Sequence, residues 1–179
     1  MDTPLLIRIP AIDDVLNDHA TALGDDFTAY RNHVYRLVNL CVAILGRSEL
    51  DKIAVAAVFH DLGIWTDDTF DYIEPSIALA HDYLVARARE DWTDEIERMI
   101  ADHHKITPSH ANHDSLVEPF RRADWIDVTR GLRTFGLPRP LIRSVLAGWP
   151  SAGFHWRLVQ LTLERLRTHP LTPLPMVKL

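Results

Sequence analysis

The chain has a single cysteine, Cys41, set in an apolar stretch. One thiol cannot build an internal disulfide framework, so a reducing, cytoplasmic setting is expected and Cys41 reads as a core residue. Long apolar runs are missing as well. None approaches the ~18 residues that a membrane-spanning helix needs. The first ten residues hold only Leu5-Leu6-Ile7, without a basic leader, so neither a membrane anchor nor a signal peptide is expected. Positive charge is in deficit: the formal net charge is −6, which speaks against polymeric nucleic acid as a partner. A small anionic substrate stays open, because local basic residues can outweigh the mean field. Glycine-rich phosphate loops, base-reading modules, internal repeats and useful stretches of period-two alternation are all absent. A sheet is therefore not expected.

What remains is helix after helix, punctuated by Gly and Pro. A first helix is expected from Ile12 to about Leu23, ending near Gly24. Asp25 or Asp26 would cap a second that runs to about Leu45, with Tyr30, Val34, Leu37, Val38 and Cys41 at helical spacing. Ser48 with Asp51 resembles a capping pattern. It would open Glu49 to Leu62, whose apolar run from Ile53 to Phe59 predicts burial on most sides. Gly63 suits a C-terminal stop, and Thr66 to Tyr72 reads as an acidic loop. Pro75 fits the first turn of a helix reaching about Arg89. Thr93 would cap Asp94 to His103, and Pro108 to His113 reads as a loop. Helices over Ser115 to Gly131, Pro138 to Ala147 and Phe154 to Thr168 follow. The last ten residues, 170–179, read as an extended tail. The expected fold class is all-α, a compact single domain over residues 1–179 with seven or eight helices.

Ten histidines are present, several beside carboxylates or each other. Histidine supplies neutral nitrogen ligands and acid–base groups near pH 7. His60-Asp61 falls at the C-terminal end of the buried helix expected over Glu49 to Leu62, just before Gly63. Adjacent helical residues point ~100° apart, yet at a helix end both can reach one cation, which the partial negative charge there favours. His33 has core-like flanks, and His81 lies on a face with Ile77, Ala78 and Leu84. His103-His104 close a helix after Ile96, Met99 and Ile100. Asp124, mid-helix beside Trp125, is unfavourable without a partner. Each has a plainer reading: a polar helix terminus, a satisfied core histidine, a dipole-stabilising pair, an ion pair to Arg121 or Arg122. A metal cluster explains all five segments at once.

The order His33, His60-Asp61, Asp124 resembles the H…HD…D signature of the HD-domain superfamily. The flanks Tyr30-Arg31-Asn32-His33-Val34-Tyr35-Arg36, Ala56-Ala57-Val58-Phe59-His60-Asp61-Leu62-Gly63 and Arg122-Ala123-Asp124 are similar to its segments, and the likeness covers roughly residues 28–130. The resemblance implies an HD-type helical bundle and a metal-dependent phosphohydrolase that acts with metal-activated water on a small phosphorylated substrate, often a nucleotide. It implies that His33, His60, Asp61 and Asp124 hold one divalent ion. It further implies that Asp61 bridges to a second ion held by His81 and His103, with His104 as a further ligand or a substrate contact. A mononuclear version leaves His81 and His103 to act on the substrate. Asp61 or Asp124 would orient the attacking water and accept its proton. A set of imidazoles and carboxylates without thiolate suits Fe, Mn, Co or Mg. Lys105-Ile106-Thr107-Pro108 stands where cyclic-dinucleotide phosphodiesterases of the superfamily carry GYP, which argues against that substrate.

Phosphate also needs donors outside the metals, and Lys105, Arg36 and Arg122 (or its neighbour Arg121) are the candidates. His110 and His113 would line the pocket mouth. Trp65, Thr66 and the acidic loop to Asp71 would form a lid or wall, while His19, His155 and His169 read as surface or structural residues. Trp149, Phe154 and Trp156 belong to the core or to a homodimer interface. Two other functions share the ligand order: a di-iron oxygenase using O2, and a non-catalytic sensing or interaction module. Elemental analysis of protein purified without added metal is expected to return two divalent ions per chain; one ion would favour the mononuclear version.

Overall fold

The computed structural model describes residues 4–46, 49–109 and 115–177. Among them are ten α-helical segments, eight with nine or more residues, and no strand, so the fold is all-α as expected. Helix α1, Pro10–Asp18, begins on proline, whose fixed φ suits a first turn. It breaks at His19, and α2 is the short Ala20–Leu23; the single helix expected over this stretch is thus two. Helix α3, Phe27–Leu45, is the axis of the structure, with nearly every side chain from Ala29 to Val42 buried. Its expected cap does not form. The Asp26 carboxylate instead accepts from Trp65 Nε1 at 3.0 Å and pairs with Arg157 at 3.1 Å. Helix α4, Leu50–Phe59, buries every residue from Ile53 to Phe59, as its apolar run predicts. The capping residue proposed for it, Ser48, lies outside the described residues.

Gly63 does not stop α4 through a left-handed conformation, for its φ is not positive. The chain turns over 60–62 and enters the short helix α5, Gly63–Thr66. Gly63 is required there for closeness. A Cβ would stand 2.7 Å from the Tyr72 carbonyl oxygen and 3.0 Å from both Pro75 Cβ and the Ser76 nitrogen. The Gly63 N–H also donates to Ser76 Oγ at 3.0 Å. This contact seats the start of α6, Ile73–Ala86, against the turn that carries His60 and Asp61.

Helices α7, Thr93–Asp102, and α8, Val117–Val128, pack around α3 and α4. Thr93 does not cap α7, since its buried hydroxyl finds no hydrogen-bond partner. Helices α9, Arg139–Gly148, and α10, Phe154–Thr168, cover α3 from the other side. Trp149 and Phe154 are core residues, whereas Trp156 is 64% exposed. The tail is not simply extended. Met176 is buried in a second small core with Ile64, Phe70, Tyr72 and Ile73. No helix of the described residues is long and apolar enough to cross a membrane.

Because its obstruction is backbone, Gly63→Ala should overpack this junction and destabilise the fold by about 1–3 kcal/mol. Thermal unfolding of the variant, several degrees below wild type, checks it.

Candidate metal centre

Four helices deliver six side chains to one buried locus. α3 brings His33, the turn after α4 brings His60 and Asp61, the end of α7 brings His103 and His104, and α8 brings Asp124. Five of the six are at most 3% exposed; His104, partly exposed, is the member nearest solvent. His33 Nε2 and His60 Nε2 stand 2.9 Å apart. Asp61 Oδ2 lies 3.6 Å from His33 Nε2 and 3.3 Å from His60 Nε2. Asp124 Oδ1 lies 3.8 and 3.9 Å from the same two nitrogens. On the other side Asp61 Oδ1 is 3.3 Å from His103 Nε2, and Asp124 Oδ2 is 3.5 Å from His104 Nδ1. Donors bonded to a common ion at ~2.1 Å stand roughly 3 to 4 Å apart. Two sets, His33–His60–Asp61 and Asp61–His103–His104, bring their donor atoms within 4.8 Å of one another, and Asp61 belongs to both.

The tautomers strengthen the case for a cation. His33 Nδ1–H donates to Asp127 Oδ2 at 2.6 Å, His60 Nδ1–H to the Ala57 carbonyl at 2.7 Å, and His103 Nδ1–H to the Ile100 carbonyl at 2.6 Å. Each ring therefore turns an Nε2 lone pair inward. Lone pairs 2.9 Å apart repel, and carboxylates facing them add to the repulsion. Asp61 Oδ1, His103 Nε2 and Asp124 Oδ2 are buried without any hydrogen-bond partner, an arrangement costly in a protein interior. A positive ion relieves both problems, so the residues present fit divalent metal.

Burial pulls His33 down to about 4, against the raising effect of Asp127, which keeps the ring neutral and able to bind metal. Burial would raise Asp61, but His60 and His103 beside it hold its carboxyl well below the usual range. Asp124 goes the other way, pushed well up by burial and then by Asp61 and Asp127. Burial and the neighbouring His103 push His104 well down.

Sequence reasoning missed Asp127 and Tyr72. Asp127 is fully buried and joins α8 to α3, receiving His33 and both Nε and a terminal nitrogen of Arg36. Although burial acts to raise it, His33 and Arg36 hold it at about 2. Its signal was available: Asp124-x-x-Asp127 and His33-x-x-Arg36 each place two groups on one helix face. Tyr72, expected at the end of an acidic loop, is buried beside the cluster, with its hydroxyl 2.9 Å from His104 Nε2.

Not every expected residue joins the centre. His81 does not: its side chain is half exposed on α6 and faces Glu97 at 3.4 Å, so the second set uses His103 and His104 together. Arg36 is 1% exposed, and its remaining nitrogen donates to the Trp149 and Pro150 carbonyls, which leaves nothing to offer a substrate. Arg122 lies on the outer side of α8 and pairs with Glu118 at 2.7 Å. Arg121 is buried, grips Glu118 and donates to the Lys105 carbonyl, fixing the chain just after the histidine pair. Lys105 is half-buried there. Trp65 packs against Tyr30, 4.7 Å between centroids, as part of the wall. Phe154 stacks on His33 at 4.0 Å. His155 is structural, binding Ser151 and the Asp127 carbonyl. His110 and His113 lie outside the described residues. No protein-family profile, no curated protein and no solved structure matches this chain.

Asp127→Asn would leave the Arg36 guanidinium buried without its counter-charge. The expected loss is about 3–5 kcal/mol of stability and roughly 10–100-fold in metal affinity through the freed His33 ring. A carboxylate with its folded pKa held at about 2 stabilises the fold above its unfolded value of ~3.9, and that contribution fades as pH falls through 2. Acid titration of unfolding in wild type and variant should show this component between pH 4 and 2 only in wild type. Equal melting temperatures at pH 7 would refute the assignment.

Proposed function

We propose that this chain is a metal-dependent phosphohydrolase of the HD-domain type, holding two divalent ions and acting on a small phosphoester. The single observation that carries the reading is the inward convergence of three Nε2 lone pairs on two buried carboxylates, with every Nδ1 of those rings already committed. The electrostatics of that arrangement favour a cation. The order of its residues along the chain is the order of the family signature, which favours the family over a chance cluster. Asp61, belonging to both donor sets, is the proposed bridge.

A pair of divalent ions supplies, when bound, a water acidic enough to attack near neutral pH and positive charge for the phosphoryl oxygens. The protein's own part is orientation and exclusion of bulk water. His33 is held between Asp127 and Phe154, and His60 and His103 are each fixed by a carbonyl one turn back. Asp61 Oδ1 stands beside His103 and Asp124 Oδ2 beside His104, neither with a hydrogen-bond partner, and either would orient water and take its proton. Lys105, next to His104, is the proposed contact for the phosphate. Arg36 is withdrawn from that role by its bonds to Asp127, and Arg122 is tied to Glu118. A mixed imidazole and carboxylate set suits Mn, Fe, Co or Mg, and a cytoplasmic setting agrees with the lone buried Cys41.

The test is a panel of nucleotides and phosphomonoesters assayed with Mn, Fe, Co and Mg. Turnover of at least one substrate is expected, abolished by a chelator, restored by metal and lost in His60→Ala. No turnover of any phosphoester would sink the hydrolase reading. Oxygen uptake with an Fe-loaded protein would replace it with the oxygenase.

A further inference from the structure

His104 differs from the other three imidazoles of the centre. They hold Nδ1 back and present Nε2. His104 is reversed: its Nε2 is engaged at 2.9 Å by the Tyr72 hydroxyl, and its Nδ1 is the atom on the Asp124 side, 3.5 Å from Oδ2. That Oδ2 has no hydrogen-bond partner. Nδ1 and Oδ2, 3.5 Å apart, make no hydrogen bond with each other. The Tyr72 oxygen can accept a proton carried on Nε2, and in that tautomer Nδ1 is left bare. That Nδ1 faces Asp124, and His104 stands with Asp61 and His103 in the second donor set.

Tyr72 is itself held rigidly. It is 1% exposed, and its ring is packed among Ile64, Phe70, Ile73 and Met176. Its backbone is set by the Ser76 N–H, which donates to the Tyr72 carbonyl at 2.9 Å, and by the close approach of Gly63. The hydroxyl is thus delivered by packing independent of the centre. We infer that Tyr72 is a positioning residue that fixes the tautomer and orientation of His104, so that His104 Nδ1 serves as a ligand of the second metal ion. The inference rests on the two-ion reading above.

The test is calorimetric titration of chelator-stripped protein with Mn(II), alongside Tyr72→Phe, which keeps the packed ring and removes the hydroxyl alone. Wild type is expected to take up two ions. Tyr72→Phe should keep the first step and weaken the second roughly 10–100-fold, the usual effect of losing a hydrogen bond behind a ligand. His104→Ala should weaken the same step, and the double variant should be no weaker than His104→Ala. Tyr72→Phe with an unchanged second step overturns the inference, and so does equal weakening of both steps, which would mean a merely structural role. Wild type taking up one ion or none overturns the two-ion reading itself, before any variant is made. Independent of variants, nitrogen-15 NMR of the metal-free protein should find the His104 proton on Nε2. A proton on Nδ1 overturns the proposal even if Tyr72→Phe fails to fold.

Discussion

Asp127 sets the terms on which the centre can exist. A carboxylate, a guanidinium and an imidazole are all removed from water where α8 crosses α3. None could be buried alone without a penalty of several kcal/mol per charge. Together they satisfy one another: Asp127 accepts from His33 and twice from Arg36, and Arg36 closes its remaining donors on the Trp149 and Pro150 carbonyls at the end of α9. The same bonds that permit burial choose the tautomer of His33. Three helices and one ligand orientation therefore depend on a single side chain that itself touches no other donor of the centre.

The other imidazoles solve the orientation problem with backbone. His60 and His103 each stand just past the end of a helix, where carbonyls of the last turn lack intrahelical partners. Each ring gives its Nδ1 proton to one of those carbonyls, three residues back. This explains how neighbours such as His60 and Asp61 can serve one locus despite the ~100° between successive helical positions: α4 has already ended at Phe59, and the turn lets both side chains converge. These donors thus ride on helix termini fixed by a core, while His33 and Asp124 project from within α3 and α8.

Most of this was legible in the sequence, and the exceptions have causes. Helical spacing and punctuation located the helices, with Phe154–Thr168 matched at both ends. His33, His60, Asp61, His103 and Asp124 stood out because each is a polar group in an apolar neighbourhood, and the structure brings all five together. His81 misled for the same reason. Its neighbours Ala80 and Leu84 are buried, but it points outward to Glu97, because a helical face one residue wide decides between core and solvent. Tyr72 was hidden by the acidic residues before it, which marked a loop without saying that its last residue folds inward. Asp127, set between Ile126 and Val128, was signalled only by its spacing from Asp124, and its pairing with Arg36, 91 positions away, supplies the reason for its burial. Gly63 was read for conformational freedom, whereas what it supplies is the absence of a Cβ against α6.

The donors of the centre are scattered along the chain, from His33 near the start of α3 to Asp124 in α8, with α4 and α7 contributing in between. An ion held by all four would tie distant segments much as a covalent staple does, binding the native state and not the open chain. Its stabilisation would then scale with the logarithm of free metal concentration. Resistance to unfolding would thereby become a reporter of metal supply, and a metal-starved population would be the one presented to proteases.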